Sequence, residues 1–77
     1  MHAAFIMMGT EKGKPFSVAE EISKIDSVKA AYPVTGPYDV IAYLEAEDGL
    51  EKELKKAVKE IHSIDGVLNT LTSIAVH

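Results

Sequence analysis

Gly36-Pro37 divides an otherwise apolar stretch, and that break constrains the chain more than any other feature. Gly36 accepts backbone angles closed to other residues. Pro37 fixes its own φ and pushes the residue before it towards extended geometry. On either side lie runs rich in β-branched and aromatic residues, Val28 to Thr35 and Tyr38 to Ala46. Two strands joined by a tight turn is the reading this pattern supports. Pro33 has no N–H to give to a ladder, so the first of these strands belongs at a sheet edge. In the other, Tyr38, Val40, Ala42 and Leu44 alternate with Asp39, Ile41, Tyr43 and Glu45.

The rest of the chain fits around that hairpin. Ala3 to Met8 is a continuous apolar run closed by Gly9, short enough for a strand buried on both faces. Ser17 with Glu20 three residues on has the form of a capping box. The apolar stripe Val18, Ile22, Ile25 then predicts a helix ending near Asp26. Asp48 with Glu51 repeats the capping pattern, and Leu50, Leu54, Ala57, Val58 and Ile61 form the stripe of a second helix. Glu51–Lys55 and Lys56–Glu60 are spaced to pair on its wet face. Val67 to Val76 is a final strand, with Thr70, Thr72, Ile74 and Val76 on one face.

The order β-α-β-β-α-β predicts an α+β, ferredoxin-like sandwich over residues 1–77 as a single domain: a four-stranded antiparallel sheet with two helices on one face. Ile25-Asp26-Ser27-Val28 and Ile64-Asp65-Gly66-Val67 echo each other at equivalent helix-to-strand junctions, as expected for two βαβ halves. The first and third strands are expected to be central, and parallel to each other. Helices on one face leave the other bare, with about half of Phe5, Ile6, Met7, Ile41, Tyr43 and Leu44 on it. A chain of 77 residues in which 47% are hydrophobic, without cysteine, carries more apolar surface than one small core needs. A second copy packed sheet to sheet is the simplest cover.

The absence of cysteine removes thiol catalysis and Cys-based zinc sites. The net charge of −4 and the lack of arginine argue against phosphate-backbone binding. No apolar run approaches membrane-spanning length and no signal peptide is visible, so a cytoplasmic location is expected. Gly9 to Lys14 lies between strand and helix, as a phosphate-binding loop does. Its spacing is one residue short, however, and Pro15 stands where a Mg²⁺-binding Ser or Thr is needed. His2, His62 and His77 are scattered, and His62 has Val58 and Lys59 one turn back, so no metal or cofactor is expected. No Ser-His-Asp set or carboxylate pair points to catalysis.

Asp39 is the acid to explain, a carboxylate at the mouth of an apolar strand. Two readings stand: it accepts N–H groups of the adjoining turn, or it faces an amine-bearing ligand at a subunit boundary. Tyr38 packs or touches the same ligand, and the Thr70 and Thr72 hydroxyls serve only if a polar molecule lies beside their strand.

The stretch Val34-Thr35-Gly36-Pro37-Tyr38-Asp39-Val40, with Gly66-Val67-Leu68-Asn69-Thr70-Leu71-Thr72-Ser73-Ile74 after a helix, resembles the ligand-sensing (RAM) domain of the leucine-responsive (Lrp/AsnC) transcription regulators. The resemblance covers nearly the whole chain. It implies a βαββαβ fold, dimers formed through the sheets, ring assemblies of those dimers, and amino-acid effectors bound near the hairpin. By motif position it makes Gly36, Tyr38, Asp39, Thr70 and Thr72 the ligand-binding candidates. Full-length regulators carry an N-terminal helix-turn-helix, whereas here Met1 leads directly into the first strand. The expectation is a stand-alone sensor that does not bind nucleic acid or membrane and that acts through a full-length regulator. Two other classes share the architecture: small dimeric enzymes of the antibiotic-biosynthesis monooxygenase type, and purely structural assembly subunits.

Overall fold

The computed structural model describes residues 1–76, so His77 lies outside the described residues. The elements are β1 (His2–Thr10), α1 (Pro15–Ser23), β2 (Ala30–Pro33), β3 (Val40–Ala46), α2 (Leu50–His62) and β4 (Val67–Ile74). The strands form one sheet in the order β2-β3-β1-β4, with every neighbouring pair antiparallel. This is the ferredoxin-like arrangement, with β1 and β3 central and Pro33 on an edge strand.

The expectation that β1 and β3 run parallel is wrong, and the reason is geometric. The crossover through α1 sets β2 in the same direction as β1, and the Gly36-Pro37 hairpin then reverses the chain. β3 therefore runs against β1, with Phe5 opposite Tyr43 and Met8 opposite Val40.

Alternation sorts the strand residues onto two faces. Ala4, Ile6 and Met8 of β1 and Val40, Ala42 and Leu44 of β3 are buried. They pack against Val18, Ala19 and Ile22 of α1 and Leu54, Ala57 and Ile61 of α2, and so form the core. Phe5, Met7, Ile41 and Tyr43 take the opposite face, joined by Tyr32 beside Ile41 and Leu71 beside Met7. Ile6 and Leu44, grouped with them by composition, belong to the core. The apolar run of β1 is thus buried on one face only within this chain. The Phe5 and Tyr43 rings lie 5.2 Å apart between centroids.

Both predicted helix caps are displaced. α1 starts at Pro15, whose fixed φ and missing N–H suit a first turn. The N-cap is Lys14, and Ser17 donates its hydroxyl back to the Lys14 carbonyl at 3.1 Å. α2 starts after Gly49, which holds φ +71, a left-handed value that Asp48 would adopt less readily. Glu51 and Glu53 in its first turn complement the helix dipole instead of a capping side chain. The α2 stripe is as read, with Val58 half-buried at its margin, whereas α1 ends at Ser23 and not near Asp26, so Ile25 packs against the core from the turn that follows the helix. Among the described residues the salt bridges are Lys14–Asp65 and Lys24–Glu21, not the expected α2 pairs.

The strand ends shift too. β2 is shorter than residues 28–35, although single backbone bonds extend it, from Lys29 N–H to the Tyr43 carbonyl and from Val34 N–H to the Asp39 carbonyl. β3 begins at Val40 and not Tyr38, β1 extends to Thr10, and β4 ends at Ile74.

Candidate functional site

The end of β1 is irregular. Its register against β4 slips between Gly9 and Thr10, so Gly9 faces Asn69 while Thr10 faces Val67. Two successive backbone N–H groups there are taken by side chains. The Gly9 N–H donates to Asn69 Oδ1 at 3.2 Å, and the Thr10 N–H donates to Asp39 Oδ2 at 2.9 Å. A Cβ on residue 9 would stand 2.8 Å from Asn69 Oδ1, so glycine is what lets the asparagine sit there.

Asp39 is locked from its backbone as well. Its N–H donates to the Met8 carbonyl and its own carbonyl accepts from Val34 N–H, both at 2.8 Å. The turn reading of its carboxylate is therefore corrected: the oxygen that has a partner is bound by the end of β1, not by the hairpin. Asp39 Oδ1 has no hydrogen-bond partner among the described residues.

Around this junction lies an open depression of about 570 Å³, lined by Gly9, Thr10, residues 37–39 and residues 68–71. It brings together Tyr38, Asp39 and Thr70 of the five sequence candidates. The other two lie apart from it. Gly36 sits at the hairpin tip with φ +123, and Thr72 stands two residues further along β4, opposite Ile6. Thr70 and Thr72 project to the helix side of the sheet. There the Thr70 hydroxyl meets His62 Nε2 at 3.2 Å.

Six lining residues were not among the sequence candidates, Gly9, Thr10, Pro37, Leu68, Asn69 and Leu71. Gly9 reads as a strand breaker and Thr10 as loop, and a bulge leaves no mark in apolar periodicity. Thr10 is buried, and its hydroxyl oxygen has no hydrogen-bond partner. Among the described residues, Asp39 is the sole charged group lining the depression. No group of three or more His, Cys, Asp or Glu gathers as a metal site among the described residues.

The family model for the Lrp/AsnC ligand binding domain matches residues 3–77. The chain belongs to this family. The same fold recurs in solved structures. The Thermus thermophilus protein TTHA0845 superposes with a TM-score of 0.87 at 32% identity, covering 100% of this chain and 95% of that one. PHS023 from Pyrococcus horikoshii gives 0.82 at 35% identity, covering 100% and 92%. The transcriptional regulator NMB0573 of Neisseria meningitidis, solved as an L-Met complex, shares the fold with a TM-score of 0.78 at 20% identity, over 99% of this chain and 50% of that one. A stretch of 60 residues, 78% of this chain, is 33% identical to the homocitrate synthase of Sulfurisphaera tokodaii. That stretch spans 13% of the enzyme's length. The chain is thus a regulatory ligand-binding domain of the Lrp/AsnC type.

Proposed function

We propose that the domain binds a free amino acid in the depression beside Asp39 and transmits its occupancy without catalysis. The observation that carries this reading is the state of the Asp39 carboxylate. One oxygen is tied to the Thr10 N–H at 2.9 Å, and the other is left for a ligand. A carboxylate fixed in this way suits an α-ammonium, because charge-assisted hydrogen bonds are the strong ones. Tyr38 and Thr70 flank it, while Gly36 shapes the hairpin and Thr72 lies further along the strand. The L-Met complex of a fold-sharing regulator supports an amino acid as the ligand class.

The same reading treats residues 1–77 as one domain that works in the cytoplasm. Similarity to proteins of nearly equal length supports it. No helix of the described residues is long and apolar enough to cross a membrane. The open sheet face, with Phe5, Met7, Ile41 and Tyr43 at its centre, supports a homodimer through the sheets and rings of such dimers. A full-length Lrp-type regulator is the partner this assigns.

Calorimetric titration of the whole chain with the twenty amino acids tests the reading. At least one is expected to bind, and Asp39→Ala to weaken it by roughly ten- to a hundred-fold while the oligomeric state is kept. If none binds, the reading fails. The match within homocitrate synthase favours a second reading, in which the domain regulates a biosynthetic enzyme. Co-elution with such an enzyme, and not with a full-length regulator, distinguishes the two.

A further inference from the structure

The two edges of the sheet are finished differently. β2 is four residues long and ends in Pro33, a short edge closed by a residue without an N–H. β4 is eight residues long, with no charge, proline or glycine to discourage pairing, and six of the eight are exposed. Among the described residues only β1 pairs with it. Ala75 continues that ladder, its N–H donating to the Ala3 carbonyl at 2.9 Å. Alternation then turns the backbone groups of Leu71 and Ser73 towards β1 and directs those of Thr70, Thr72 and Ile74 away from the sheet. Such a row of N–H and C=O groups on an uncharged edge is a template for another strand.

We infer that the outer edge of β4 pairs antiparallel with β4 of a second copy, about a two-fold axis at Leu71. Two four-stranded sheets then become one. The side chains of β4 select both the occupant and the register. An axis at Leu71 sets Thr70 opposite Thr72, Asn69 opposite Ser73 and Leu68 opposite Ile74 of the other copy. Polar residues meet polar ones and aliphatic residues meet aliphatic ones throughout. Thr70 and Thr72 form the hydrogen-bonded pair, as the direction of their backbone groups requires. An axis at Thr70 would instead set Leu71 against Asn69 and Thr72 against Leu68. One at Thr72 would set Leu71 against Ser73 and Thr70 against Ile74.

The joined edges also extend the open apolar face, because Leu71 stands beside Met7 and meets its own copy across the axis. One pair of strands buries too little to hold two monomers together at micromolar concentration. The edge therefore acts between sheet-to-sheet dimers of the kind proposed above, on which it depends, and links them into tetramers or larger assemblies.

Leu71→Cys tests the axis, since the chain has no cysteine of its own. In a non-hydrogen-bonded antiparallel pair the two Cα atoms stand about 4.5 Å apart, within disulfide reach. Sheets stacked face to face are about 10 Å apart, outside it. Ser73→Cys is the control, because a residue paired with Asn69 lies about 14 Å from its own copy. Under mild oxidation Leu71→Cys is expected to run as a covalent dimer on a non-reducing gel, and Ser73→Cys as a single chain. Thr72→Pro removes only an N–H that faces the outer edge, so the β1–β4 ladder keeps its bonds. It is expected to sediment as a dimer where wild type forms a tetramer or larger species. Should the proline variant not fold, Thr72→Lys decides, since it sets two like charges diagonally across the axis at an exposed position and is expected to stop at the dimer too. Larger species that persist in Thr72→Lys, or a Leu71→Cys chain that cross-links no more than Ser73→Cys, overturn the edge pairing. A wild-type chain that stops at the dimer refutes the edge alone, whereas a wild-type monomer refutes the sheet-to-sheet dimer and the edge together.

Discussion

The carboxylate of Asp39 and the backbone N–H of Thr10 meet at 2.9 Å across 29 positions of sequence. That bond ties the β2–β3 hairpin to the end of β1, so one side chain has a structural duty on one oxygen and a free acceptor on the other.

The two duties separate by substitution. Asp39→Asn keeps an amide oxygen for the Thr10 N–H and removes the charge. It is expected to unfold within about 1 kcal/mol of wild type while losing roughly tenfold or more in amino-acid affinity. Asp39→Ala strips the partner from a part-buried N–H and is expected to cost about 1–3 kcal/mol as well. Urea unfolding beside calorimetry reads both; equal stability of the alanine and wild-type chains would deny the structural duty.

Gly9 and Asn69 form the neighbouring lock. In Gly9→Ala the new Cβ would lie 2.8 Å from Asn69 Oδ1, so the asparagine must swing away and its bond to the residue 9 N–H is lost. Asn69 is exposed and free to move, which limits the expected cost to about 1 kcal/mol. Asn69→Ala should cost a similar amount, and the double variant less than the sum, because both remove the same contact. Additive losses in thermal unfolding would show that the pair does not act as one.

Lys14 and Asp65 join the loop before α1 to the turn before β4 at 2.9 Å. The hydrogen bond and charge of Lys14 hold the Asp65 carboxyl below its ordinary 3.8, and Asp65 in turn holds the Lys14 amine above 10.5. A lowered carboxyl pKa contributes stability that is present above the unfolded value and lost as pH falls through the folded one. A raised amine pKa contributes stability present below the unfolded value and lost as pH rises through the folded one. The difference between wild type and Asp65→Asn is therefore expected to be flat from about pH 5 to 9 and to fade below 3.8 and above 10.5. High salt should shrink it at neutral pH, since both groups are exposed. A difference that grows in acid would contradict the pair.

Local chemistry made most of this fold legible. Alternation in β3, the stripe on the second helix and Pro33 at an edge all follow from near neighbours, and the structure agrees with each, whereas the unbroken apolar run of β1 hid its one open face. The helix starts were misread because a capping-box pattern competed with two stronger backbone constraints, Pro15 and the positive φ of Gly49. At the site, Asp39 stood out as an acid entering an apolar strand. Its partner did not, because Thr10 reaches it only through strand pairing and a bulge that no period reveals. Gly36 and Thr72 share the candidate motifs with the depression's residues yet fall outside its lining, since a motif gives position along the chain and not the direction of a wall.

Phe5 and Tyr43 meet as a tilted ring pair across β1 and β3 on the face that no helix covers, and Tyr43 donates its hydroxyl to Glu45 Oε2 at 2.7 Å. Glu45 and partial burial together hold that phenol above its ordinary pKa, so at neutral pH the tyrosine is an uncharged part of an apolar surface. Phe5 is 37% exposed, Leu71 49% and Tyr32 59%, an exposure that a sheet-to-sheet partner would remove. Phe5→Glu places a carboxylate at the centre of this face without touching the core behind it, because residue 5 points away from Ile6 and both helices. The variant is expected to sediment as a monomer, with the circular dichroism of a folded domain, where wild type sediments as a dimer or larger ring. It should also unfold at lower temperature, and its melting temperature should no longer rise with protein concentration. A wild-type chain that is monomeric at micromolar concentration would refute the interface outright. A Phe5→Glu chain that keeps the wild-type assembly would move the interface elsewhere on the molecule.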